Sequence, residues 1–274
     1  MEMDYLLKLA FWGVRGSTPT PRIENLALGG NTSCLEVRTG AGDVLVFDAG
    51  TGITPLGWHL VEKKDGPLDI KIFMTHFHWD HIQGIPFFQP LYSVENKVTF
   101  FSFENRAESM LKGQMTEPYF PVSFDFLPAQ LEFYPIEHCP FNISGVEISP
   151  FPMNHPQGAT GYRIESEGEA FVYASDHEHG NSHLDASVRD HAANAKVLVY
   201  DAQYTPHEYE KRVGWGHSTW LEAARVATES QVDQLVLFHH DPSHTDSMMM
   251  DIVREARHHF PKVQAASEGE FFIL

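Results

Sequence analysis

The sequence is short of positive charge. Its 274 residues carry 19 Lys and Arg against 37 Asp and Glu, a formal charge of −18 at pH 7. No Lys/Arg cluster breaks that excess. A surface this acidic repels a polyanion unless a basic patch offsets it, so long nucleic acid is not an expected partner. A small anion held at a bound cation remains compatible with it. Cysteine is equally scarce. Cys34 and Cys139 are the whole supply, and neither has a partner at CxxC spacing, which argues against a disulfide framework and a cysteine-based zinc site. No apolar run approaches the ~20 residues that span a bilayer, and Glu2 and Asp4 stand where a secretion signal would be basic. The expected location is the cytoplasm, with no membrane attachment. Internal repeats, low-complexity tracts and Pro/Gly/Ser linkers are missing too, so the simplest organisation is one domain over residues 1–274.

Apolar stretches recur along the chain at 6–13, 34–39, 43–50, 69–76, 97–103, 130–136, 145–151, 161–165, 170–176, 196–201 and 233–240. Their Val, Ile, Phe and Tyr content and partial alternation predict strands. Helical patterns fall between some of them: TGITPLGWHLVE after Gly50, residues 105–115, STWLEAARVATES with Ser218 as its expected cap but no capping box, and residues 248–260, whose MMM belongs to a helix face. Strands interspersed with helices predict α/β or α+β layers.

Metal-capable side chains collect at the ends of these strands. Asp48 follows VLVF, Asp176 ends FVYASD, Asp201 ends VLVYD and His239 follows LVLF. The densest group is THFHWDHIQG, residues 75–84, with His76, His78, Asp80 and His81 inside six positions. Histidine is the commonest neutral metal ligand, and aspartate supplies a hard anionic oxygen. An extended or turning segment lets His76 and His78 converge on one ion while Asp80 and His81 turn toward another. Each ion needs about three or four protein ligands, so the rest must come from distant segments, for which His155, Asp176 and His239 are candidates. His177, His179, His183, His191, His207, His258 and His259 lie in polar or helical surroundings and are expected at the surface.

THFHWDHIQG resembles the HxHxDH signature of the metallo-β-lactamase-fold hydrolases. VFDAGTG (46–52), NHPQGATGYRIE (154–165), YASD (173–176) and VLFHHD (236–241) fall in that superfamily's order. The resemblance implies an α/β fold: a four-layer αββα sandwich of two mixed sheets, helices outside, the site at one edge. It implies two divalent metal ions. His76, His78 and His155 would hold one, Asp80, His81 and His239 the other, and Asp176 would bridge them. His240 is an alternative to His239, because strand alternation does not separate the pair; the spacing after VLF favours His239. Asp48 resembles a buttress that orients a ligand histidine. Two ions about 3.5–4 Å apart can hold a bridging hydroxide and clamp attacking and leaving oxygens. Zinc suits the His-rich set best, with Mn or Fe as alternatives. Residue 78 is His, not the Glu common in the oxygen-reducing diiron branch, which favours hydrolysis.

WGHSTWLEAA (215–224), followed by VLFHH, resembles the phosphodiesterase branch, which includes tRNA 3′-processing endonucleases and cyclic-nucleotide phosphodiesterases. That resemblance implies that His217 protonates the leaving group or offsets developing charge, that Asp80 supports the catalytic proton network and that Asp201 orients His217. The chain departs from the tRNA-processing group in lacking an obvious basic Gly/Pro-rich arm, and it lacks the four-cysteine zinc cluster of a relative that opens cyclic ribose phosphates. The expected activity is hydrolysis of a small phosphodiester, foremost a cyclic nucleotide. A carboxylic ester, thioester or lactone hydrolase and a non-enzymatic nucleotide sensor are the alternatives. Asn31 in GGNTSC is an expected substrate contact, or part of a plain turn. The aromatic loops at 85–92 and 117–124, with Phe87, Phe88, Tyr119 and Phe120, fit a base-stacking surface, a core cover or a homodimer interface.

Overall fold

The structure is a computed structural model that describes residues 5–103 and 106–274. Glu2, Asp4 and Asn105, the first residue of the expected 105–115 helix, lie outside the described residues. The first part of the chain supplies β1 (Leu7–Gly13), β2 (Cys34–Thr39), β3 (Val44–Phe47), β4 (Asp69–Phe73), β5 (Lys97–Phe103) and β6 (Gln130–Ile136). The second supplies β7 (Phe141–Ile143), β8 (Val146–Met153), β9 (Ala159–Ser166), β10 (Glu169–Ala174), β11 (Val197–Asp201), β12 (Gln234–Phe238) and β13 (Val263–Ala265), and β14 (Phe271–Ile273) returns to the first.

Two seven-stranded sheets result, in the orders β14-β1-β2-β3-β4-β5-β6 and β7-β8-β9-β10-β11-β12-β13. In the first, pairing is antiparallel from β14 to β3 and parallel from β3 to β6. In the second it is antiparallel from β7 to β10 and parallel from β10 to β13. The central strands VLVF and VLVYD are buried along their whole length, as strands covered on both faces must be.

An aromatic core fills the space between the sheets. Phe47 stacks on Phe73 at 5.0 Å and meets Tyr162 edge-on at 5.3 Å, joined by Phe11, Phe171, Tyr173 and Phe238. Outside the first sheet lie α1 (Ile53–Lys63), α2 (Trp79–Ile82) and α3 (Ala107–Gln114), which bury Ile53, Leu56, Ile82 and Leu111 against β3, β4 and β5. Outside the second, α4 (Ser182–Ala192), α6 (Trp220–Glu229) and α7 (Asp246–Ala256) bury Val188, Ala223 and Met249; α5 (Pro206–Tyr209) is a single turn between β11 and α6. The layers therefore run αββα, as the resemblance implied. No helix among the described residues is long and apolar enough to cross a membrane.

Several local expectations change. The cap of α6 is Thr219 rather than Ser218: its side chain accepts the Glu222 N–H, while the Ser218 hydroxyl accepts the His179 N–H. Helix α4 has polar residues on most faces but is capped by Asn181, whose side chain accepts the Leu184 N–H. His177 is not a surface residue. It is 1% exposed and lies 3.0 Å from Asp185, because Asp185 sits on the inward side of α4. His179 and His191 are half-buried, while His183, His207, His258 and His259 are exposed.

Candidate metal centre

Strands β3, β4, β10 and β12 stop short of their apolar runs, and the residues that follow turn into a common cluster. Asp48, φ 62°, comes directly after β3, and its N–H donates to the Phe73 carbonyl at the end of β4. Its carboxylate accepts the Thr75 N–H and hydroxyl and the Tyr173 hydroxyl, each at 2.9 Å, and lies 2.8 Å from His81 Nδ1. That bond fixes the His81 proton on Nδ1 and leaves Nε2 facing inward. Thr75 Oγ1, already donating to Asp48, lies 3.0 Å from His76 Nδ1, so it accepts there and the His76 lone pair falls on Nε2.

The other rings are held the same way. His155 Nδ1 donates to the Gly216 carbonyl at 2.8 Å, and His78 Nε2 to Gln157 Oε1 at 2.9 Å. Their remaining nitrogens face each other at 3.0 Å. His239 Nδ1 donates to Gln203 Oε1 at 2.9 Å, which leaves Nε2 3.1 Å from Asp80 Oδ2. Two trios result, His76 with His78 and His155, and Asp80 with His81 and His239, each with its ligand-type atoms within 4.8 Å of one another.

Asp176, φ 64°, lies between them. Its Oδ1 is 3.2 Å from His81 Nε2 and 3.4 Å from His239 Nε2; its Oδ2 is 3.7 Å from His76 Nε2 and 3.6 Å from His155 Nε2. Each oxygen thus serves one trio. His76 Nε2 and His81 Nε2 are buried and make no hydrogen bond within the protein. Inward-facing lone pairs around a shared carboxylate are the donor chemistry of a pair of cations, and these residues fit two divalent ions.

The electrostatics divide the histidines: against burial, Asp176, Asp48 and Asp80 hold His81 above the usual range. Burial holds His76 and His155 below the usual histidine range, so they stay neutral and able to donate a lone pair. Burial works against the charged forms of Asp80 and Asp176 too, but the neighbouring histidines outweigh it and hold both carboxyls well down. His239, which burial alone would lower, is pushed up to about 9 by Asp176 and Asp80. A cation at the cluster would satisfy the same carboxylates.

Geometry separates His239 from His240. His239 has φ 61° and turns into the cluster. His240 points the other way, donates from Nε2 to the Ala266 carbonyl at 2.9 Å, and is held at about 3 by burial and Arg15. His217 joins the cluster: its Nδ1 is 2.8 Å from Asp201 Oδ2 and 3.9 Å from Asp176 Oδ2, and its ring stacks on His239 at 4.8 Å. Asp201 also accepts the Asp176 and Gln203 N–H groups. Asn31 is placed otherwise than expected. Its N–H and Nδ2 both donate to Glu268, at 2.6 and 2.9 Å, so its amide ties a loop to the C-terminal segment instead of turning to the cluster.

The sequence reading missed the residues that hold these rings. Thr75, Tyr173, Gln157 and Gln203 carry no ligand signature. Glu178 is another: it accepts the Tyr209 hydroxyl and the Gly214 and Gly216 N–H groups at 2.9, 2.6 and 2.7 Å, and so shapes the loop leading to His217. The signal was present in the glycines of VGWGH. Gly216 has φ 92°, and a Cβ there would come within 2.3 Å of His155. Among the cavities that flank the cluster, two border its open sides. One, of about 360 Å³, borders His76 and His78 and is lined by Met110, Met153, Arg106 and the stacked pair Phe103 and His138. The other, of about 400 Å³, borders His217.

Residues 44–240 match the family described as Beta-lactamase superfamily domain. The chain belongs to this superfamily. It is a metal-dependent hydrolase. This beta-lactamase superfamily hydrolase is 24% identical to the Ribonuclease Z of Thermoplasma acidophilum over 315 residues, covering 96% of its own chain and 94% of that protein. Among solved structures, the metallo-beta-lactamase fold protein YhfI from Bacillus subtilis superposes with a TM-score of 0.73 at 19% identity, covering 97% of this chain and 98% of that one. A diphosphatase from the PhnP family gives 0.68 at 20% identity and 98% of both chains.

Proposed function

We propose that this hydrolase is a dinuclear metal-dependent phosphodiesterase. The observation that carries the reading is Asp176, with one carboxylate oxygen facing each trio. In this reading His76, His78 and His155 would hold one divalent ion, Asp80, His81 and His239 would hold the second, and Asp176 would be shared by both. Zinc suits the set, and Mn or Fe are compatible with it. Such ions supply a nucleophilic oxygen at neutral pH and offset charge on the phosphate.

The chain's own groups do the rest. Asp48 keeps His81 in one tautomer and one orientation. Asp201 accepts a hydrogen bond from His217 Nδ1, which orients the ring and leaves Nε2 to deliver a proton to the leaving oxygen. Ser17 N–H, 2.7 Å from Asp80 Oδ2, fixes that carboxylate against His239.

The names Ribonuclease Z and diphosphatase of two relatives favour a phosphate bond over a carboxylic ester. The formal charge of −18 favours a small nucleotide over a long RNA, and cyclic nucleotides are the first class to screen. The test is hydrolysis of bis-p-nitrophenyl phosphate, with metal assayed on the same sample. Turnover at about two ions per chain is the expected result. Bound metal with turnover only of p-nitrophenyl carboxylic esters would make the protein an ester or lactone hydrolase. Tight nucleotide binding without turnover would make it a sensor.

A further inference from the structure

We infer that the cavity beside His217 is a subsite for a second phosphate, carried on the leaving half of a dinucleotide substrate. The inference rests on the phosphodiesterase reading. The cavity, about 400 Å³, is lined by Arg22, Tyr204, Arg212, Trp215 and His217, with Asp241 and Ser243 at its wall. It is continuous with the metal centre. Ser17 and Gln203, which hold Asp80 and His239, also line it.

Its charge is out of keeping with the rest of the chain. Six arginines elsewhere pair with carboxylates: Arg15 with Asp246, Arg38 with Glu36, Arg163 with Glu165, Arg189 with Glu229, Arg225 with Glu222 and Arg254 with Asp251. The two arginines of the cavity have no such partner among the described residues. Arg212 lies over the Tyr204 ring at 4.9 Å and has only the Glu208 carbonyl, at 3.5 Å. The Arg22 side chain is exposed and makes no ion pair among the described residues. The wall's carboxylate, Asp241, is buried and accepts the N–H and hydroxyl of Ser243. In a protein with a formal charge of −18, two uncommitted guanidinium groups on one cavity are a phosphate receptor, because their forked donors match phosphate oxygens. Beside them stands Trp215, 62% exposed, which offers a flat face for a base.

His217 fixes which half of the substrate enters. The water oxygen forms the new P–O bond and one water proton is released. The P–O bond to the leaving nucleoside breaks, and its oxygen takes the proton from His217. The leaving half therefore lies on the His217 side, in this cavity. A cyclic mononucleotide has no second phosphate to place there; a linear dinucleotide with a terminal phosphate, or a cyclic dinucleotide, does.

The test compares the fully metallated protein on the linear diadenylate with no terminal phosphate, with a 5′-phosphate and with a 3′-phosphate. One of the phosphorylated forms should show kcat/KM higher by about tenfold or more. Arg212→Ala and the exposed Arg22→Ala should each shrink that ratio toward one. By calorimetry, wild-type protein should bind adenosine 3′,5′-bisphosphate about tenfold more tightly than the matching monophosphate. Equal kcat/KM for all three dinucleotides, or a ratio unchanged in both variants, overturns the subsite and leaves the phosphodiesterase reading standing. No turnover of any phosphodiester, bis-p-nitrophenyl phosphate included, removes that reading and the subsite with it.

Discussion

The two sheets share one plan, an antiparallel run of strands followed by a parallel run, and in each the strand at the switch is followed by an aspartate with left-handed backbone. After β3 it is Asp48; after β10 it is Asp176. Their surroundings set them apart. Asp48 is met by the Thr75 N–H and hydroxyl, the Tyr173 hydroxyl and His81 Nδ1, so its oxygens are saturated and it can only support a neighbour. Asp176 meets the inward nitrogens of four histidines and the Ser175 hydroxyl. Position in the plan does not assign the role; the count of hydrogen-bond donors in reach does. The halves also divide the remaining work unequally. The first concentrates His76, His78, Asp80 and His81 in one loop and the helical turn α2 that follows it, whereas the second spreads His155, Asp176, Asp201, His217 and His239 over several segments.

Substitutions can break or sharpen that contrast. Asp176→Asn strikes the shared carboxylate and should have the largest effect: metal content falls in both trios by plasma emission, and kcat drops by at least about 10³-fold. His217→Ala should leave metal content intact and lower kcat on an unactivated phosphodiester by about 10²–10³-fold, with a smaller loss on p-nitrophenyl substrates, whose leaving group needs no proton. Asp48→Asn should weaken metal affinity by about 10–100-fold, measured by competition with a chelator, without removing either trio. An Asp48→Asn loss as deep as that of Asp176→Asn would erase the distinction between the two aspartates. His240→Ala should keep full metal stoichiometry and lower unfolding free energy by about 1–3 kcal/mol, because it removes only the buried bond to Ala266.

The layers and the first-half cluster were legible because both are local signals. Runs such as VLVF and VLVYD announce buried strands, and THFHWDH crowds its ligands into one loop. The second half was less so. His155 and His217 stand alone among other histidines. Strand alternation does not distinguish His239 from His240, and the spacing after VLF only favours the first; the turn after β12 separates them, by sending one ring inward and the other toward Ala266. His177 looked like a surface residue because its partner, Asp185, is on a helix whose polar sequence hid it. The three-residue strands β7, β13 and β14 are too short to show a period. Glu178 and Gln203 act through backbone and ring contacts that tertiary structure creates.

Asp48, Asp176 and His239 all sit at φ near 60°, where a side chain costs about 1–2 kcal/mol that glycine avoids. At 48 the carboxylate offsets that cost by meeting the buried Thr75 and Tyr173 donors; at 176 and 239 the strain is carried for the cluster. A lineage freed from the reaction would drift toward glycine or asparagine at 176 and 239, and a library selected for heat resistance alone would discard those two early. Any campaign to harden this protein should therefore fix the codons for 176 and 239 before it begins.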